Sequence, residues 1–197
     1  MAFAHSDDFC MTPVSMKIVV AGGFAVGKTT FIGSISEIPP LETEALITEE
    51  SIGIDDRDMV EKKTGTTVAM DFGRITIVTD MVLYMFGTPG QGRFLFLWDE
   101  IVRGAIGGVV LVDTRRAEEC FPAVDYFEQL GLPFVVAVNA FNGRAPYTAE
   151  EVRASLCVSD HVPIVTIDAR ERDQVRDALV VVVEGALRKA QLAGIGP

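Results

Sequence analysis

The chain is short of the residues that build several kinds of site. It has two histidines, His5 and His161, and three cysteines, Cys10, Cys120 and Cys157, among 197 residues. Two imidazoles leave almost no material for a histidine-based metal centre or a catalytic triad. Three widely spaced thiols suit neither a disulfide framework nor a zinc site with paired ligands, and read as buried or incidental thiols of a reducing compartment. Positive charge is scarce too: 17 basic against 28 acidic side chains leave a net charge of −11. That balance excludes holding nucleic acid or an anionic membrane through bulk charge. No apolar run reaches the roughly 18 residues of a membrane span. Met1 to Ser15 lacks the basic and apolar regions of a secretory signal and reads as a flexible arm.

What remains is a chain that is 49% hydrophobic and 23% charged, enough to bury one sizeable core. Residues 16–192 read as one domain and 193–197 as a tail. Short β-branched runs at 17–21, 67–78, 81–86, 109–112, 134–138 and 164–167 predict six strands, mostly without alternation, as in a sheet covered on both faces. Stretches 29–38, 93–103, 118–130, 149–156 and 172–192 are long enough for helices, and Thr148 before Glu150 and Glu151 marks a helix start. Strand 67–78 meets strand 81–86 across Thr79-Asp80, so the two must form an antiparallel hairpin. The expectation is an α/β fold: a mixed, mostly parallel six-stranded sheet with one antiparallel edge strand and helices on both faces. Residues 39–66 have no clear period. From Pro39 to Gly65 they carry eight acids against three bases, which predicts a long acidic, switch-like loop.

Gly22-Gly23-Phe24-Ala25-Val26-Gly27-Lys28-Thr29 is G-x-x-x-x-G-K-T between the first strand and the first helix, the context of the phosphate loop of P-loop NTPases. Its glycines let successive amides face inward around an anion, and the helix N-terminus adds unpaired donors and a favourable dipole. Gly22, Phe24, Ala25, Val26, Gly27, Lys28, Thr29 and Thr30 are the expected phosphate-binding positions. Lys28 would bridge the β- and γ-phosphates and the Thr29 hydroxyl would ligate Mg²⁺.

Gly87-Thr88-Pro89-Gly90-Gln91-Gly92-Arg93-Phe94 follows the hairpin. Here the chain resembles the Ras-like small GTPases, whose third motif is D-x-x-G-Q followed by R-F. The resemblance implies that the Gly90 amide senses the γ-phosphate and that Gln91 orients the attacking water. The acidic position is Gly87, so the usual carboxylate behind Mg²⁺ is missing; Asp71 and Asp113 are the candidate substitutes. This departure narrows the resemblance to the bacterial gliding-motility type. The run from Thr66 to Arg116 is more closely similar to the conservon-type GTPases of actinomycetes, over about Met16 to Leu192. It implies that Thr67 is a switch threonine and Mg²⁺ ligand, with Thr66 as the alternative one residue away.

The same comparison puts Asn139-Ala140-Phe141-Asn142 at the N-K-x-D base-recognition site, with Ala140 in place of the lysine whose stem stacks on the nucleotide. Asn139 matches, whereas Asn142 replaces the aspartate. A carboxylate accepts both donors of guanine, N1–H and the 2-amino group, while an amide accepts only one. Guanine preference is therefore expected to be weakened. Ala169 falls in the second base-contacting loop. In Phe94-Leu95-Phe96-Leu97-Trp98, five apolar residues circle a helix and cannot all face one core, so some should be exposed or covered by a partner.

The expected function is a nucleotide-dependent switch that binds GTP and GDP with Mg²⁺ and hydrolyses GTP slowly, using Lys28 and Gln91. No arginine finger stands out within the chain; Arg93 and Arg74 are candidates. Resemblance to the conservon type implies a roadblock-type regulatory protein and a sensor kinase as partners. It also implies a cytoplasmic location, with peripheral attachment at the inner face of the membrane. A nucleotide-binding scaffold with little turnover or relaxed base choice is the alternative. A kinase or ATPase of the P-loop class would need an acidic base or acceptor pocket near the phosphates that the sequence does not offer.

Overall fold

A computed structural model describes residues 13–39, 41–47, 66–90, 92–143 and 146–194, with the backbone alone at 41–47, 66–69, 92–93 and 142. Its strands are β1 (Val14–Gly22), β2 (Leu41–Ile47), β3 (Thr66–Val78), β4 (Met81–Gly87), β5 (Gly107–Val112), β6 (Phe134–Asn139) and β7 (Ile164–Ile167). The helices are α1 (Lys28–Ile35), α2 (Trp98–Val102), α3 (Phe121–Gln129), α4 (Ala149–Leu156) and α5 (Arg172–Leu192). One sheet carries the strands in the order β2-β3-β4-β1-β5-β6-β7. β4, β1, β5, β6 and β7 run parallel, while β3 is antiparallel to both of its neighbours.

The α/β class and the β3–β4 hairpin follow the expectation. Two details differ. The sheet has seven strands, because part of the expected loop, Leu41–Ile47, pairs with β3. The strand that runs against the others is therefore next to the edge, and β2 is the edge. β1 also starts at Val14, inside the segment read as an arm; residues 1–12 and 48–65 lie outside the described residues.

Alternation along β1 divides the core, because successive side chains in a strand point to opposite faces. Ile18 and Val20 join Phe31, Ile32 and Ile35 of α1 and Val175, Leu179 and Val182 of α5. Val19 and Ala21 join Trp98 and Ile101 of α2, Val124 and Phe127 of α3, and Val152 and Leu156 of α4. Both faces are thus covered, as the unbroken apolar strands require. Thr148 caps α4 reciprocally: its Oγ1 accepts from Glu151 N at 3.2 Å, and Glu151 Oε2 accepts from Thr148 N at 2.8 Å.

The expected helix over 93–103 is two pieces, a 3₁₀ segment at Gly92–Leu97 and then α2. A 3₁₀ turn repeats every three residues, which turns Phe94 and Leu97 to one side. Phe94 and Trp98 are buried, whereas Leu95 is 40% and Phe96 61% exposed. The apolar run is therefore shared between core and surface, as its spacing demands.

Candidate nucleotide-binding site

Between β1 and α1 the backbone takes shapes that few residues allow. Gly22 has φ +141° and Gly27 φ +107°, conformations that favour glycine. A Cβ at Gly22 would lie 2.5 Å from Leu111 O, and one at Gly27 would lie 2.8 Å from Asn139 Nδ2. Ala25, at φ +56°, holds the left-handed shape with a side chain, at a cost of about 1 kcal/mol. Phe24 and Ala25 are exposed at the tip, Val26 is buried, and Thr29 and Thr30 are exposed at the start of α1. No side chain caps α1, so the first amides of the helix remain as donors for an anion.

Lys28 lies folded into this loop. Its Nζ donates to Gly22 O at 3.0 Å and to Gly23 O at 2.7 Å. Burial pushes its amine down to about 8, against the opposing pull of Asp71 and Glu119. Glu119 reaches the loop directly, its carboxylate lying against Gly23. Gly90 closes on the same point: a Cβ there would sit 2.7 Å from Lys28 Nζ and 2.9 Å from Gly23 O. The expected γ-phosphate sensor and phosphate lysine are thus brought together. Gln91 lies outside the described residues.

Of the two candidate substitutes for the missing acid, geometry selects Asp71. The Thr29 hydroxyl donates to Asp71 Oδ2 at 3.0 Å. The β3–β4 register pairs Phe72 with Phe86, so Asp71 and Gly87 fall opposite each other. A Cβ at Gly87 would meet Asp71 Oδ2 at 3.1 Å: the bare glycine leaves room for the carboxylate. Asp113 is buried but already engaged, Arg115 donating to both of its oxygens at 2.8 and 2.7 Å, and these bonds hold its carboxyl below the usual range. Asp71 is a β3 residue that reaches Thr29. The Thr67 backbone is paired with Leu46 of β2, and its side chain is outside the description. Among the described residues no group of three or more His, Cys, Asp or Glu could hold a metal unaided. A hydroxyl beside one carboxylate suits Mg²⁺, which takes few protein ligands and shares phosphate oxygens. Thr29 and Asp71 would hold it.

At the other end of the loop, buried Asn139 works as a brace. Its Nδ2 donates to Val26 O at 2.9 Å, and its Oδ1 accepts from Ala169 N at 3.1 Å. The amide of Ala169, in the loop expected at the base, thus donates to Asn139. Asn142 lies in a short 3₁₀ turn, Phe141–Gly143, with only its backbone described. The Arg115 guanidinium lies 4.7 Å from the centre of the Phe141 ring. A cavity of about 590 Å³ is lined by residues outside this loop, among them Leu132, Phe134, Val162 and Val182, and is mostly apolar.

The fold and this loop define a P-loop nucleotide-binding protein with a G-domain-like sheet. The chain belongs to the family described as conserved hypothetical ATP binding protein, whose model matches residues 20–189. It is 30% identical to an uncharacterized protein of Methanocaldococcus jannaschii over 126 residues, 63% of this chain and 69% of that one. Among solved structures it is similar to the cytosolic domain of the T. maritima FeoB iron transporter, at 15% identity and a TM-score of 0.62 in both apo and GDP forms. That match covers 88% of this chain and 64% of the T. maritima domain. The FeoB G-domain of Methanococcus jannaschii matches with a TM-score of 0.56 at 15% identity, over 87% of this chain and 98% of that domain.

Proposed function

We propose that this chain is a Mg²⁺-dependent GTPase of the Ras-like, conservon type that acts as a slow molecular switch. The observation that carries the reading is the loop itself: a glycine turn with positive φ at Gly22 and Gly27, a buried Lys28 on Gly22 O and Gly23 O, and the Thr29–Asp71 pair. Polyphosphate oxygens are stronger acceptors for an ammonium than neutral carbonyls, so Lys28 would exchange its loop contacts for the β- and γ-phosphates. The metal, when bound, supplies positive charge to the phosphate oxygens. Gly90, packed on Lys28, would report the γ-phosphate through its amide, and Gln91 would orient water. Loss of the γ-phosphate would free the segment from Gly90 into α2. The exposed Leu95 and Phe96 beside that sensor suit a partner that reads the nucleotide state, for which a roadblock-type protein is our candidate. A sensor kinase and attachment at the inner membrane face through partners belong to the same proposal. Among the described residues no helix is long and apolar enough to cross a membrane.

A second reading has support from Ala140, Asn142 and the family's description, which names ATP: a nucleotide-binding scaffold with little turnover or relaxed base choice. Binding of GDP, GTP, ADP and ATP with Mg²⁺, followed by single-turnover phosphate release from wild type and Gln91→Leu, separates the two. The switch reading expects guanine nucleotides to bind more tightly and Gln91→Leu to abolish release. Adenine preference, or no release at all, leaves the scaffold.

A further inference from the structure

Arg116 stands on the rim of the phosphate loop. It follows β5 in the run Asp113-Thr114-Arg115-Arg116, and its Nη2 donates to Phe24 O at 3.3 Å. Phe24 is 60% exposed at the tip of the loop. Neighbouring Arg115 is committed elsewhere, paired with Asp113 through two hydrogen bonds. Arg116 spreads its contacts over several acceptors. Its Nη1 meets Glu119 Oε1 at 3.1 Å, its Nη2 lies 3.7 Å from Asp113 Oδ2, and its side chain is 40% exposed. The two arginines that the sequence suggests are placed less well or not described. Arg74 pairs across the hairpin with Tyr84, three residues beyond Asp71 toward the turn, and the Arg93 side chain is outside the description.

Glu119 holds one nitrogen of the guanidinium, while the other donates to a neutral carbonyl beside the anion site and has a better acceptor within reach once that site fills. A guanidinium bonds an ionised phosphate oxygen more strongly than a neutral carbonyl, and can do so through two parallel N–H groups. Lys28, the other cation at the loop, lies under the influence of both Asp71 and Glu119, which leaves developing charge incompletely balanced.

We propose that Arg116 is an in-chain arginine for phosphoryl transfer, leaving Phe24 O to bind the phosphates of the triphosphate, with Glu119 positioning it. The proposal rests on the hydrolase reading above. In that reaction the oxygen of water bonds to the γ-phosphorus as the bond from the γ-phosphorus to the β–γ bridging oxygen breaks. The bridging oxygen keeps the electron pair and leaves with the diphosphate, and the protons of water pass to inorganic phosphate and the medium. Arg116 offsets the charge that grows on the bridging oxygen, a contribution that is largest in the transition state.

The test measures single-turnover GTP hydrolysis, GDP affinity and capture of GDP with aluminium fluoride in wild type, Arg116→Ala and Arg116→Lys. The proposal expects hydrolysis to fall at least about 100-fold in Arg116→Ala. It expects GDP affinity to stay within about threefold, because a diphosphate lacks the breaking bond. Aluminium fluoride capture should be lost in Arg116→Ala, and Arg116→Lys, which keeps charge without the planar fork, should rescue it poorly. Hydrolysis unchanged in Arg116→Ala overturns the assignment and leaves the hydrolase reading intact. Equal losses of GDP affinity and hydrolysis also overturn it, making Arg116 a strap for the loop. A wild type that binds GTP without hydrolysing it overturns this assignment together with the hydrolase reading.

Discussion

Asp71 holds the Thr29 hydroxyl at 3.0 Å from the strand opposite the position where Ras-like GTPases carry their acid. If it stands behind Mg²⁺, its removal acts on the metal-dependent part of nucleotide affinity. Asp71→Ala should reduce the ratio of GDP affinity in Mg²⁺ to that in EDTA by about tenfold or more, as measured by calorimetry; an unchanged ratio would remove Asp71 from the metal site. Position 142 offers a separate test. Replacing the amide by a carboxylate gives guanine its second acceptor, worth roughly 1–3 kcal/mol when the donor would otherwise be buried unmatched. Asn142→Asp should therefore tighten GDP binding about tenfold, and equal affinity in the two proteins would mean that this side chain does not touch the base. The phosphate loop was readable because its glycines, lysine and threonine are contiguous. The Asp71–Gly87 pairing was not, because it depends on an irregularity. Val78 pairs with Met81, but a bulge shifts the register so that Thr76 pairs with Val82. Counting from the turn without that bulge would set Asp71 opposite Thr88.

The elements around the sensor suggest how it is anchored. Trp98, the one tryptophan of the chain, is 3% exposed and meets the Tyr126 ring edge-on with centroids 5.4 Å apart. Tyr126 OH donates to Asp99 Oδ1 at 2.5 Å, and burial, followed by Asp99, pushes its hydroxyl up to about 12. α2 is thus tied to α3 directly after the segment expected to move. Exchange of GDP for a non-hydrolysable GTP analogue should alter Trp98 emission, whereas superimposable spectra would contradict transmission into α2. The loop between β7 and α5 gives a pH test. Hydrogen bonds from Arg170 hold the Asp168 carboxyl down, to about 2. Because the folded value lies below the unfolded one, its stabilising contribution is present above about pH 4 and is lost as pH falls toward 2. Denaturant melts should show a steeper acid loss in wild type than in Asp168→Asn; identical slopes would remove this pair from the acid response. β2 escaped the sequence reading for a physical reason. Leu41-Glu-Thr-Glu-Ala-Leu-Ile is an edge strand with acids in alternate places, a device that discourages edge pairing and gives the segment the composition of a loop.

For the whole molecule, the outcome depends on whether a strongly acidic chain can hold a polyanion. The bulk charge of −11 opposes it, so binding must come from short-range groups: the loop amides, one buried ammonium, and a hydroxyl and carboxylate that would hold Mg²⁺. The α/β class was legible because five parallel strands need apolar cover on both faces, which their unbroken runs supply. Which helix covers which face was not legible, since it depends on alternation along β1 resolved against α1 and α5 on one side and α2, α3 and α4 on the other. The most direct test is titration calorimetry of wild type and Lys28→Ala with GTP and Mg²⁺. The account predicts one nucleotide per wild-type chain and at least about a 100-fold loss in a folded Lys28→Ala protein. Equal binding by both, or none by wild type with any nucleoside triphosphate, would contradict it.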